Sequence, residues 1–241
     1  MAAHRSVRSY EPTAVPEGDI RLAVGAARQA STSSHVQGYA LLQVVDAAKR
    51  ARLRELCGDQ EQVERAGAFF VVCAEQRRHR LVAEEAGTPL ACNLETFLVD
   101  VIDASLFAQN LALAFESLGY GMCFIGGLRN HLPEASRLLE IPADVFPLFG
   151  LCVGVPSSEG LRGSVRPRLP LDAIWFKDRW PDEERTRAAI REHDREMAAE
   201  FERRGLPGRN WSGGVARKLS KLQREHLAAF YRSQGARLEL P

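Results

Sequence analysis

Two short basic segments carry residue types that bind phosphate groups. The first, His4–Arg8 (HRSVR), places two guanidiniums, an imidazole and a hydroxyl within five residues. The second, Arg166–Arg168 (RPR), has one arginine on each side of a proline. The proline holds the backbone extended, which directs both arginine side chains to one side. An arginine fork matches phosphate oxygens, and each such hydrogen bond contributes about 1.5–3 kcal/mol. From the residues alone two interpretations stay open: an anion site, or surface arginines with scattered partners.

A pair of glycines in the middle of the chain is equally ambiguous. Gly126–Gly127 directly follows a short apolar segment that is predicted to form a strand. Paired glycines after a strand are typical of a tight turn. They also allow a ligand to lie against bare backbone whose N–H groups can donate hydrogen bonds. Both interpretations remain open at this point.

Several other kinds of site are excluded or disfavoured by the sequence. It has no dinucleotide-binding or Walker-type glycine loop and no nucleophile elbow. The five cysteines are scattered without a CxxC pair or zinc-like spacing, so we expect neither disulfides nor a metal site. A net charge of +1 argues against nucleic-acid and anionic-membrane partners. Because the sequence shows no signal core and no apolar run long enough to span a bilayer, we expect a cytoplasmic protein.

The elements that must position these residues alternate between helix and strand. The predicted strands cover residues 39–45, 68–74, 122–125 and 148–155. The predicted helices of this part cover residues 17–28, 47–56, 93–118 and 133–139, and the third of these is apolar on almost every face, as a buried central helix is. An extended arm at 157–170 then leads to two charged helices, about 182–204 and 215–232, which flank a loop at 205–211. The interleaving predicts an α+β or three-layer architecture.

Three separated segments carry a resemblance to a known family. HRSVR, FIGGLRN and RPRLP, together with AQNLALAFESLGYG, PLFGLCVG and Asn210–Trp211–Ser212, occur in the order found in the nitroreductase superfamily. From His4 to its end the chain resembles the branch of oxygen-insensitive NADPH nitroreductases and flavin reductase P-type enzymes. The resemblance implies an α+β three-layer sandwich with a mixed central sheet, a C-terminal helical excursion and an intertwined homodimer. It further implies an FMN-binding core at 1–156, with 157–241 completing the core, the dimer and the nicotinamide site.

The resemblance also implies which residues hold the cofactor FMN. Arg8 would lie at the N1/C2 carbonyl edge of the flavin, where a fixed cation stabilises the reduced ring. The phosphate would be bound by His4, Ser6, Arg166 and Arg168, with Arg5 in support.

The flavin ring would be contacted by three further segments. A serine-rich loop would reach it from the other subunit through Ser31, Thr32 and Ser33, with help from Gln37. Gln60 would hydrogen-bond the ring, and a backbone N–H of the strand-to-turn segment would address flavin N5. That segment comprises Phe124, Ile125, Gly126, Gly127 and Leu128. From the residues alone, the serine run can also be a helix-ending loop with local hydroxyl hydrogen bonds.

A second basic patch implies a site for the 2′-phosphate of NADPH. Arg209 is the nearest counterpart of an arginine in the mobile loop of the family, and Arg203, Arg204 and Arg217 are alternatives. For any one of these arginines, a solvated helix face is the competing interpretation.

The implied function is an FMN-dependent oxidoreductase that passes hydride from NADPH or NADH to nitroaromatic, quinone or related acceptors by a ping-pong mechanism. We expect no catalytic acid or base among the side chains. One alternative is an NAD(P)H:flavin reductase that supplies free reduced FMN. Another is a low-turnover flavin-binding sensor or partner protein, and a third is a module that binds a phosphate ligand without flavin.

Overall fold

The computed structural model describes residues 2–162 and 165–238. The chain divides into two compact units. The first comprises Ser6–Leu161 and the residues from Arg224 onward, and the second comprises Ala2–Arg5 and Arg162–Gln223.

The first unit is built on a sheet of four strands: β1 (Tyr39–Gln43), β2 (Ala68–Glu75), β3 (Gly121–Ile125) and β4 (Val145–Gly154). Their order is β1-β2-β4-β3, and each neighbouring pair is antiparallel. The predicted mixed sheet was therefore wrong for these strands. Parallel pairing in the described part of the chain is limited to the isolated bridge between Ser6 and Met122. This parallel pairing ends before Tyr10, because Tyr10 forms an antiparallel bridge with Pro156 instead.

One face of the sheet is covered by α1 (Glu17–Ala27) and α5 (Leu94–Ser117). Asn93 and Thr96 form a reciprocal capping box that fixes the start of α5. Among the described residues, α5 is the one helix long and apolar enough to cross a membrane. Its buried side packs on the sheet, so it is a core helix. The buried side includes Ala104, Phe107, Leu111 and Phe115.

The other face is covered by four helices: α2 (Ala47–Leu56), α3 (Gln62–Arg65), α6 (Leu132–Leu138) and α9 (Leu227–Ser233). Leu53 and Leu132 are fully buried there, and the hydroxyl of Tyr231 donates to the Pro147 carbonyl at 2.9 Å. Helices on both faces confirm the predicted α+β arrangement in three layers. A further helix, α4 (Arg77–Glu85), has no buried residue, and it was not predicted because its large apolar residues are limited to Leu81 and Val82.

The second unit contains α7 (Glu183–Arg203) and α8 (Trp211–Leu219). The single helix predicted for residues 215–232 was wrong, because it is divided into α8 and the α9 of the first unit. Between them Arg224 has a φ of 57°, a left-handed conformation that no α-helix can continue through. The Asn210 side chain accepts from the Gly213 N–H at 3.1 Å and starts α8 earlier than predicted.

Candidate functional site

The N-terminal segment of the first unit lies beside β3. The Val7 N–H donates to the Met122 carbonyl at 2.9 Å, and the Val7 side chain is buried against Gly121. Ser6 and Arg8, on either side of Val7, are both exposed. Arg8 Nη1 donates to the Ser6 carbonyl at 3.4 Å. The structure thus holds these two residues at the start of the strand that leads into the double glycine.

The charge of Arg8 is not neutralised by the thiol behind it. Burial raises the pKa of Cys123, although Arg8 and a hydrogen bond with the Ser6 side chain act in the opposite direction. The thiol is therefore uncharged at neutral pH.

The turn after β3 exposes backbone on one side and core packing on the other. Phe124 is 36% exposed and meets Phe149 edge-on, with ring centroids 5.4 Å apart. Ile125 and Leu128 are fully buried, backbone included, so neither is open to a ligand. Gly126 is partly exposed, and a methyl group on it would lie 3.3 Å from the Arg129 guanidinium.

Gln60 packs directly against this turn. Its Nε2 donates to the Cys57 carbonyl at 2.8 Å, and its Oε1 accepts from Gln62 at 3.0 Å. A methyl group on Gly127 would overlap both the Cys57 carbonyl and the Gln60 amide. Gly127 is therefore required by packing, whereas Gly126 leaves its backbone accessible. A half-buried amide beside an accessible backbone suits the edge of a flat, hydrogen-bonding ring, so these residues fit a flavin.

The serine-rich loop is bound to α4 and α5. Ser31, Ser33 and Gln37 are exposed, and Thr32 is partly exposed. A 3₁₀ turn at Ser33–His35 forms the tip of the loop.

In the second unit the arm and the N-terminal residues belong together. His4 and Arg5 lie in the same compact unit as Arg166 and Arg168. Both arm arginines are exposed, and Arg168 Nη1 donates to the Arg166 carbonyl at 2.9 Å. Two of the predicted groups of phosphate ligands are thereby placed in one unit.

The four arginines proposed for a nicotinamide phosphate fall into two pairs. Arg203 Nη2 lies 2.8 Å from Glu200 Oε2, and Arg204 Nε lies 2.5 Å from Glu200 Oε1. Glu200 is 1% exposed, so these two arginines compensate a buried charge. Arg209 and Arg217 are exposed and form no ion pair with another residue that the structure describes. The geometry favours the second pair as ligands.

Sequence reasoning missed two features near these sites. Arg129, in FIGGLRN, stands beside Gly126 and donates to the Leu148 carbonyl at 2.6 Å. Asp100 and Asp103 are buried in α5 next to the serine-rich loop. Two acidic residues three positions apart in an apolar stretch of the helix, residues 97–108, were the available signal.

Two models of one protein family match nearly the whole chain. The nitroreductase family model matches residues 1–155, and the model of the nitroreductase family C-terminal domain matches residues 166–239. The chain is 37% identical to FMN reductase (NADPH) of Bacillus subtilis, covering 96% of this chain and 94% of that protein. It is 33% identical to oxygen-insensitive NADPH nitroreductase of Salmonella typhimurium, covering 98% and 95%.

A solved structure gives the same result for the fold. The NfrA1 nitroreductase of B. subtilis superposes with a TM-score of 0.92 at 35% identity, covering 98% of this chain and 96% of that one. The chain belongs to the nitroreductase family and is an NAD(P)H-dependent oxidoreductase of the FMN reductase and nitroreductase type.

Proposed function

We propose that this chain binds one FMN per subunit and passes hydride from NAD(P)H to nitroaromatic, quinone or related acceptors. The observation that carries the proposal is the turn at Gly126, where accessible backbone lies next to Gln60 and follows the strand beside Arg8. When bound, FMN supplies a carrier that takes up and gives back two electrons together.

Each part of the chain has a separate task toward the cofactor. The Arg8 guanidinium stabilises negative charge at the pyrimidine edge of the ring. The Gly126 backbone donates a hydrogen bond to the reacting side, with Gly127 packed beneath it, and Gln60 orients the ring through its amide. His4, Ser6, Arg166 and Arg168, with Arg5 in support, bind the phosphate. No side-chain acid is assigned, because protons can come from water.

The proposed dimer completes the site. Four large apolar side chains recur every fourth residue along the outer side of α5 and are 43–55% exposed; these are Leu94, Leu98, Ile102 and Leu106. Such a stripe on a core helix favours burial against a second copy of the chain. The serine-rich loop would then bring Ser31, Thr32, Ser33 and Gln37 to the flavin of the partner subunit.

NADPH is proposed as the reductant, with Arg209 and Arg217 binding its 2′-phosphate. A second candidate function differs only in the electron acceptor, which would be free flavin. The relative from B. subtilis is called FMN reductase and that from S. typhimurium nitroreductase. Free flavin and a nitroaromatic would use the same open face of the bound cofactor. A low-turnover flavin protein is the remaining alternative, and it has no specific support in the geometry.

Steady-state kinetics test the proposal. Varying NADPH at several fixed concentrations of a quinone should give parallel double-reciprocal lines, because the nicotinamide must leave before the acceptor enters. Intersecting lines would reject the ping-pong scheme. Comparison of kcat/KM for a nitroaromatic, a quinone and free FMN then ranks the acceptors.

A further inference from the structure

The serine-rich loop, residues 31–38, has a backbone that cannot hold its shape unaided. Three residues other than glycine have positive φ angles: Ser34 at 45°, His35 at 60° and Gln37 at 53°. Left-handed conformations of this kind cost about 1–2 kcal/mol per residue. Three of them within four residues require strong external anchors.

A single buried carboxylate supplies the main anchor. Asp103 on α5 is fully buried. Its Oδ1 accepts from the Ser33 N–H at 3.0 Å, and its Oδ2 accepts from the Gly38 N–H at 3.1 Å. One side chain therefore binds both ends of the strained segment, and backbone N–H groups compensate its charge.

Helix α4 holds the carbonyl groups of the same segment. His79 Nε2 lies 2.8 Å from the Val36 carbonyl oxygen, and Arg78 Nη2 donates to the Gln37 carbonyl at 3.3 Å. Gly38 closes the arrangement by packing on α5, where a methyl group would overlap Asp100 Oδ1 and lie 2.9 Å from the Asp100 Cα. The backbone of the loop is thus fixed from both helices.

The polar side chains of the loop remain exposed. Ser31, Ser33, Ser34 and Gln37 are all exposed, although the backbone between them is fastened to a buried charge. A loop needed only to connect α1 with β1 requires neither the strain nor the carboxylate. This combination of fixed backbone and outward polar groups is what presentation to a ligand requires.

We propose that Asp103 is a positioning residue that preorganises the 31–38 loop to bind the flavin of the partner subunit. This inference rests on the proposed function. Asp103 would keep the hydroxyls of the loop in place before FMN binds, without contacting the ring itself. This preorganisation lowers the ordering cost of binding.

Two variants test it, with one matched control. Asp103→Asn keeps the size of the side chain but turns an NH₂ group toward one of the two N–H donors. Gly38→Ala pushes the loop away from α5, and with it the Gly38 N–H that donates to Asp103, while the Asp103 side chain itself is unchanged. Each should raise the Kd for FMN about tenfold or more, whereas Asp100→Asn, one helical turn earlier, should change it less than twofold.

Hydrogen exchange on the FMN-free protein gives a readout that does not depend on activity. In both variants the amides of residues 33–39 should exchange at least tenfold faster, while those of β2 and β4 keep their protection. Faster exchange over the whole chain would show general destabilisation and overturn the positioning role.

Mixed dimers decide whether the loop acts on the other subunit. In a hybrid dimer of one Asp103→Asn subunit and one Arg168→Ala subunit, the site on the Asp103→Asn subunit has intact arginines. The loop at that site comes from the Arg168→Ala subunit and is also intact. That hybrid should bind one FMN per dimer with wild-type affinity, and a hybrid with no tight site would overturn the inference. Wild-type protein that does not bind FMN would reject the proposed function itself, whereas normal wild-type binding with unchanged Asp103→Asn binding would reject only this inference.

Discussion

Two loops present polar side chains outward in this protein, and they are built differently. The serine-rich loop of the first unit places non-glycine residues at positive φ and is fastened at both ends by Asp103. The loop at 205–210 in the second unit places glycines there instead, Gly205 at 72° and Gly208 at 73°. It is fastened at its end, where Asp194 accepts from the N–H and hydroxyl of Ser212.

The difference between the two loops fits the ligand proposed for each of them. A strained loop with a fixed backbone suits a cofactor that stays bound through every cycle, because the loop loses its conformational entropy once, during folding. A loop hinged on glycines suits a co-substrate that must enter and leave at each turnover. The predictions below separate the residues of the permanent cofactor from those of the exchangeable nicotinamide.

The largest effect is expected on the side of the permanent cofactor. Arg168→Ala removes a proposed phosphate fork, and loss of charge-assisted hydrogen bonds of about 1.5–3 kcal/mol each should raise the Kd for FMN roughly 100-fold. Titration of FMN fluorescence measures it. Arg162→Ala, an exposed arginine at the start of the same arm, is the control and should change the Kd less than twofold. Equal behaviour of the two variants would remove Arg168 from the site.

Arg8→Ala should separate chemistry from binding. Because Arg8 is proposed to stabilise charge that develops on the ring, its loss should slow the reduction of bound FMN about 10–100-fold, as removal of a preorganised donor does. The Kd for FMN should rise less than threefold. Single-turnover mixing with NADPH gives the first quantity and fluorescence titration the second. A variant that loses FMN but reduces what it retains at the normal rate would contradict this role.

On the exchangeable side, Arg209→Ala should lower kcat/KM for NADPH about tenfold, the value of one charge-assisted hydrogen bond at an exposed site. The value for NADH should stay the same, because NADH lacks the 2′-phosphate. The control is Arg203→Ala, whose partner is the buried Glu200. It should reduce stability and leave the ratio of the two nicotinamides unchanged. A shift of that ratio in Arg203→Ala alone would reverse the assignment.

The last effect is on stability rather than on ligand binding, and it concerns the carboxyl group next to Asp103. Burial raises the pKa of Asp100 from 3.8 to about 6; Gln76 and His79 oppose the shift, while Asp103 and Glu75 add to it. The folded state therefore binds this proton more tightly than the unfolded state, and stability falls as the pH rises from about 4 to 6. At pH 7.5, Asp100→Asn should raise the free energy of unfolding by about 1–3 kcal/mol. Urea unfolding across this pH range checks it, and an unchanged pH profile would contradict the prediction.

The helices and strands that were predicted correctly are those with a strong apolar pattern in the sequence. The helix at 47–56 matches α2, and the helix at 93–118 differs from α5 by one residue at each end, because a continuous apolar pattern leaves little choice. All four strands were predicted, since β2 and β4 are largely apolar and buried on both faces. Helix α4 was missed, because its large apolar residues are limited to Leu81 and Val82, which are adjacent in the sequence.

The site was harder to predict, because the role of each arginine depends on whether it forms an ion pair in the folded chain. Nothing in the sequence separates Arg203 and Arg204 from Arg209. The structure does so through Glu200, whose burial depends on packing within the second unit. Likewise Gly127 and Gly126 are alike in sequence, and only the approach of Gln60 shows that one serves packing and the other leaves backbone accessible.

Mixing the FMN-loaded protein with NADPH under anaerobic conditions tests the central claim most directly. The visible absorbance of the bound flavin should be lost rapidly with NADPH, more slowly with the same concentration of NADH, and recover fully when a quinone is added. A protein that cannot be loaded with FMN, or whose flavin absorbance is unchanged by either nicotinamide, would contradict the account.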